Sequence, residues 1–113
     1  MANTFKMATK SSVVTDAVSN ANSNVLTAGG SSTLILLSVL VSNKGSNTAN
    51  VDAYVVTNSG DDVYLLKGVP IPAGSSLELI SGSKIIMEAS DILRIRADTA
   101  TTLDATVSYL DQT

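Results

Sequence analysis

The chain of 113 residues contains no cysteine, no histidine and no tryptophan. Each absence removes a class of chemistry. Without cysteine there is no disulfide framework, no thiolate nucleophile and no Cys-based metal site. Without histidine the commonest general base and the commonest metal ligand are both missing. Charged residues make up only 15% of the chain, well below the usual quarter of a globular protein. Aromatic residues make up 4%. The longest apolar stretch, Leu34 to Val41, is interrupted by Ser38 and is far too short to cross a bilayer, so no membrane partner is expected. Met1 to Lys10 lacks the apolar central run of a signal peptide, so the expectation is folding in a cytoplasm without export through a cleaved leader.

Net charge is -3, with no basic cluster to neutralise phosphates, which argues against a nucleic-acid partner. Hydrophobic residues reach 44%, and most of the remainder is Ser, Thr and Asn. A soluble monomer ordinarily keeps more charge on its surface. The shortage of charge is what a chain shows when much of its surface faces other subunits; a neutral Ser/Thr-rich β surface is the plainer reading.

Turn signals divide the chain at intervals of roughly 8–12 residues, the pattern of a sandwich or barrel. Gly29-Gly30, Asn43 to Asn47, Asn58 to Asp61, Pro70 to Gly74, Gly82 and Thr99 to Thr102 punctuate it. Between them lie strand-like segments: Asn24 to Ala28, Thr33 to Ser42, Asn50 to Asn58, Val63 to Lys67, Leu77 to Ile80, Lys84 to Glu88, Asp91 to Ala97 and Leu103 to Leu110. A further short strand is expected over Ser11 to Asp16. The fold expected is all-β, an antiparallel β-sandwich of jelly-roll type with about eight strands. Residues 1–24 form an N-terminal arm or short strand, and residues 25–113 form the sandwich domain. Proline at 70 and 72 is expected to break the ladder there, since proline donates no backbone hydrogen bond.

Thr33 to Ser42 is apolar on both of its period-2 faces, so both are expected to be covered. One face meets the core, and the other needs a helix, an arm or another subunit. A helix is the rival reading of this segment, but its β-branched residues and its Gly, Asn and Ser flanks favour a strand.

No residue pattern carries catalysis, and no cofactor is implied. Asp61-Asp62 is the one acidic pair, beside Gly60 on a turn, where solvated charges are ordinary; a weak cation site is the functional alternative. Gly29-Gly30-Ser31-Ser32 lacks the lysine and the following helix of a phosphate loop. Arg94 and Arg96 share a strand face with Ile92, as a solvated outer face or as partners for acids across a subunit interface. Tyr54, Tyr64 and Tyr109 suit core or rim packing. The residues expected to meet partner proteins are Phe5, Lys6 and Met7 of the N-terminal segment, Val63, Tyr64 and Leu65 of one edge, and Arg94 and Arg96.

The opening Met1-Ala2-Asn3-Thr4-Phe5-Lys6 resembles the start of small virion proteins of tailed bacteriophages, including marine and cyanobacterial ones. Gly68 to Glu78, Lys84 to Glu88 followed by Asp91 to Ile95, and Leu103 to Leu110 are similar to recurring segments of the same proteins. The resemblance covers most of residues 60–110 and is vague between Thr9 and Asn58. It implies a structural role on the virion. The leading expectation is a capsid decoration (cement) protein on the head surface, a homotrimer that binds the major capsid protein lattice. A tail, neck or baseplate component is the alternative within the same class. A carbohydrate- or receptor-binding module is the alternative outside it, disfavoured by the scarcity of aromatics.

Overall fold

Strict alternation of apolar and polar residues leaves each segment one face to hide, and pairing two such sheets hides both. In the computed structural model, residues 3–11, 24–80, 84–98 and 103–112 are described. They contain nine strands: β1 (Asn3–Lys10), β2 (Asn24–Thr27), β3 (Thr33–Asn43), β4 (Ala49–Val56), β5 (Asp62–Ile71), β6 (Ser76–Glu78), β7 (Ile85–Met87), β8 (Ile92–Ala97) and β9 (Leu103–Gln112). One sheet has the order β1-β9-β3-β6, with β7 also on β3; the other has the order β2-β8-β4-β5. Every pairing is antiparallel.

The long strand β3 gives one edge to β9 over its whole length. Its other edge is shared, with β7 on Leu34–Leu36 and β6 on Leu40–Ser42. Counted as one interrupted strand, β6 and β7 complete a nested set: β1 with β9, β2 with β8, β3 with β6 and β7, β4 with β5. A single antiparallel ribbon is thus folded over and wrapped around the core, which is the jelly-roll arrangement.

The core lies between the sheets. From one side come Leu34, Leu36, Val39 and Val41 of β3 with Leu103, Ala105 and Val107 of β9; from the other come Val51, Ala53 and Val55 of β4 with Leu93, Ile95 and Ala97 of β8. Its fully buried members are aliphatic residues and Met87, with the partly buried Tyr109 packed against them. Each fully buried Leu, Ile or Val contributes about 1.5–3 kcal/mol relative to exposure. No staple is needed at this chain length.

Two boundaries differ from expectation. The first strand is Asn3–Lys10, paired with β9 from Asn3↔Gln112 to Lys10↔Ala105, so residues 3–10 join the sandwich as an edge strand. Ser11 is a bend beyond it, and the rest of the Ser11–Asp16 segment lies outside the described residues. Pro70 does not end the ladder: β5 runs on through it to Ile71. The reason is position. β5 is the edge of its sheet, where a residue without an N–H can still pair on its carbonyl side. The strand reaches that far through bulges opposite β4, where Val51 faces Val69 but Ala53 faces Leu66. Gly68 sits in one of them with φ 64°, a left-handed conformation a side chain would strain. Its N–H donates to Asp52 Oδ1 at 2.7 Å.

Candidate functional site

The two outward faces of the sandwich differ in chemistry. On the β2-β8-β4-β5 sheet, cross-strand neighbours Asp52↔Arg96 and Tyr54↔Arg94 stand side by side, with Tyr64 and Asn24 next to Tyr54 and Arg94. Arg96 meets Asp52 Oδ2 through Nε at 2.9 Å and Nη2 at 2.8 Å. Arg94 Nε donates to Asn24 Oδ1 at 2.6 Å. The Arg94 guanidinium also hydrogen-bonds the Tyr54 hydroxyl. The Tyr54 and Tyr64 rings lie 5.0 Å apart, and Lys67 Nζ stands 4.8 Å from the Tyr64 centroid. The layer is closed enough that Tyr54 has no accessible surface and Arg94 only 9%.

Burial pushes the Tyr54 hydroxyl above its ordinary value of 10.0, even though the hydrogen bond and charge of Arg94 pull it down. The fold therefore favours the neutral phenol. That contribution is whole below the unfolded-chain value and is lost as pH rises through the folded one. Stability should fall more steeply above about pH 10 in the native chain than in Tyr54→Phe. Urea midpoints taken at neutral pH and at successive alkaline pH values check this; parallel curves for the two chains would refute it.

Beside this layer, Asn50, Asp52, Gly68, Arg96, Ala97 and Asp98 line a shallow open depression. Its acids are already engaged: Asp52 by Gly68 and Arg96, Asp98 by the Asn50 N–H at 2.9 Å. The Asp61-Asp62 pair sits on the exposed β4–β5 turn, where the Thr57 hydroxyl accepts from the Asp61 N–H at 3.1 Å. Among the described residues no three Asp or Glu side chains gather as a metal site would require.

The opposite face carries an apolar row. Ile86 of β7 pairs with Ile35 of β3, Ile35 with Leu110 of β9, and Leu110 with Phe5 of β1. Directly opposed residues in a sheet share a face, so these four side chains run in line across four strands. Phe5 is 77% exposed and Ile86 60%. Met7, one pair further along β1, is 67% exposed. A bulge in β3 between Leu36 and Ser38 leaves Leu37 as an extra residue, half-buried, and Leu40 follows. The expectation that β3 would be covered on both faces is therefore met on the inner face alone. Outside, Ile35, Leu37 and Leu40 are half-buried, and no helix lies over them among the described residues.

The far end of this face is polar. Asp104 pairs with Lys44 at 2.9 Å. Glu78 spans the gap between β6 and β7. Its Oε1 accepts from the Ser38 hydroxyl at 2.6 Å, and its Oε2 from the Val39 N–H at 2.9 Å and the Ile80 N–H at 3.1 Å. Partial burial raises its proton affinity, but these hydrogen bonds outweigh that and hold the carboxyl below its usual range.

The residues expected at a partner interface thus fall on different surfaces. Phe5 and Met7 belong to the apolar row. Lys6 points the other way, toward Tyr109 and Asp111, and bonds Asp111 Oδ2 at 3.1 Å. Val63 is 51% exposed on β5, Leu65 packs partly on the core, and Tyr64 belongs to the tyrosine–arginine layer. Arg94 and Arg96 are held within the chain by Asn24 and Asp52. Sequence reasoning missed Ile86, Ile35 and Leu110 as surface residues, because strand register alone brings them beside Phe5. Searches of family models, curated proteins and solved structures found no match to this chain.

Proposed function

We propose that this chain is a structural subunit of a tailed-phage virion, a capsid decoration protein that binds the major capsid protein lattice and stabilises the head. The observation that carries the subunit-packing part is the outer face of the β1-β9-β3-β6 sheet. It presents a row of large apolar side chains to solvent, while on the opposite face Arg94 and Arg96 are bonded within the chain to Asn24 and Asp52. Contiguous exposed apolar surface of several hundred Å² marks an interaction site on a soluble domain. The capsid part rests on the resemblance of residues 1–6 and 60–110 to phage virion proteins. A rigid sandwich that adds buried area at every lattice position would brace a shell against internal pressure.

Reconstitution tests this reading. Purified chain added to heads that lack it should bind in a fixed ratio to capsid subunits and raise the temperature at which they release DNA. Electron microscopy of labelled particles should place it on the head. Label at the tail, neck or baseplate would move the chain there, and unbound chain with unchanged heads would overturn the proposal.

A further inference from the structure

We infer that β1 is a releasable strand, and that the edge of β9 it vacates takes β1 of a second copy of this chain in the same register. The inference goes beyond the capsid reading and does not depend on it.

The first observation is how little β1 buries. Its neighbour in the sheet is β9 alone, met through eight opposed pairs. None of its eight residues is buried, and six are exposed. Of its apolar side chains, Phe5 and Met7 stay 77% and 67% exposed with the strand in place, and only Ala8 packs against the core. Fixing the backbone of a strand costs conformational entropy, and apolar burial is the term that ordinarily offsets it. In β1 that term is nearly missing, so its hydrogen bonds to β9 do most of the holding. Elements of this kind open locally, well short of global unfolding.

The second is what lies beneath the strand. The inward side of β1 carries Thr4, Lys6, Ala8 and Lys10. Lys6 bonds Asp111 Oδ2 at 3.1 Å, but Asp111 Oδ1 is buried and has no hydrogen-bond partner among the described residues. An acceptor buried in this way carries its full desolvation cost. Lifting β1 returns that oxygen to water, which offsets part of the pairing that is lost.

The third is that the vacated edge specifies its occupant. β9 offers a ladder without a bulge, from Asn3↔Gln112 to Lys10↔Ala105. A strand of ordinary pattern would set an apolar side chain against Asp111. β1 sets Thr4 opposite it and Lys6 within reach of its carboxylate, and β1 of a second copy does the same by identity. Exchange of an identical element keeps each contact and changes only which chain supplies it. The free edge of β1 itself is the poorer docking edge, because inward lysines on an edge strand discourage addition. Residues 11–23 join Lys10 to Asn24, and a segment of that length spans at most about 45 Å. The domain is 26 Å by 21 Å across its two shorter axes. β1 therefore has chain enough to reach a neighbouring copy while the remaining strands keep their places.

Cross-linking of the full chain tests this. Met7 and Ser108 are directly opposed, and the chain has no cysteine of its own. Opposed strand positions suit a disulfide. Met7→Cys and an isotopically labelled Ser108→Cys are mixed at high concentration and oxidised. In closed chains the two thiols belong to different molecules and do not meet. With β1 exchanged they face each other across the ladder. Mixed disulfides should outnumber those of either variant with itself by roughly tenfold or more, and their share should rise with chain concentration. Hydrogen exchange on the wild-type chain reads the release: β1 amides bonded to β9 should exchange about a hundredfold faster than those of β8. Mixed disulfides no more abundant than random pairing gives overturn the inference, and so do β1 amides as slow as those of β8. Neither readout involves heads, so this inference and the capsid reading stand or fall separately.

Discussion

Replacing Asn43 with aspartate should lower stability by about 3 kcal/mol, although the two side chains have nearly the same size. Asn43 ends β3, is 2% exposed, and is the one uncharged polar residue that is fully buried among the described residues. Its Nδ2 donates to the carbonyls of Ile71 at 2.8 Å and Asn47 at 2.9 Å, and its Oδ1 accepts from the Gly45 N–H at 2.8 Å. Its own N–H donates to the Ser75 carbonyl and its carbonyl accepts from the Gly74 N–H. One residue therefore ties the end of β3 in one sheet to the end of β5 in the other, and holds the turn after it. Aspartate keeps the acceptor but sets an oxygen where two carbonyls expect a donor, and brings a charge into a site without a cation in those contacts. Leaving buried partners unpaired is more costly than the same hydrogen bonds are worth. The urea midpoint should drop with an unchanged slope, and the melting temperature should fall by roughly 10 °C. A shift under about 1 kcal/mol would mean that the rim between the sheets is held by other groups. The loss should be smaller at acid pH, where a protonated carboxyl returns one donor.

Asn43 also shows where sequence reasoning stops. Asn43 to Asn47 reads as a turn from composition, and it is one, but nothing local indicates that the asparagine amide reaches a carbonyl 28 residues away. Alternation was readable wherever one face is buried and the other polar, as in Asp91 to Ala97 and Leu103 to Leu110, which form β8 and β9. The doubly apolar character of β3 was also readable, and the structure buries its inner face while leaving Ile35, Leu37 and Leu40 half-buried on the outer one. The identity of that face was not. Ile86, Ile35, Leu110 and Phe5 come together through three separate strand registers, and each register depends on partners far along the chain. The same holds for β1. Phe5 and Met7 point outward while Lys6 and Lys10 share the inward side with Tyr109 and Ala105, so its local pattern runs against the usual rule. Charged residues on the inward side of an edge strand discourage further strands from adding there. Such a strand is recognised by its pairing with β9 and not by its own composition.

Two neighbours on β3 should separate the roles of its faces. Leu36 has no accessible surface and belongs to the core cluster, whereas Ile35 is half-buried in the outer row. Leu36→Ala should cost about 3 kcal/mol, from lost transfer energy and from a cavity that two packed sheets cannot close. Ile35→Thr should cost about 1 kcal/mol or less. Threonine keeps the β-branch that suits a strand, and on a face open to water its hydroxyl is not forced into the interior. The ranking reverses for association. Ile35 lies at the middle of the apolar row, between Ile86 and Leu110, so a hydroxyl there desolvates badly when the face is covered. Ile35→Thr should weaken subunit contact, whereas Leu36→Ala should leave the contact intact in whatever fraction stays folded. Denaturant titration and sedimentation on the same two variants give both readouts. Equal losses of stability from the two substitutions would place Ile35 in a covered core, and the outer face of the sheet would then not be the surface this fold leaves for a neighbour.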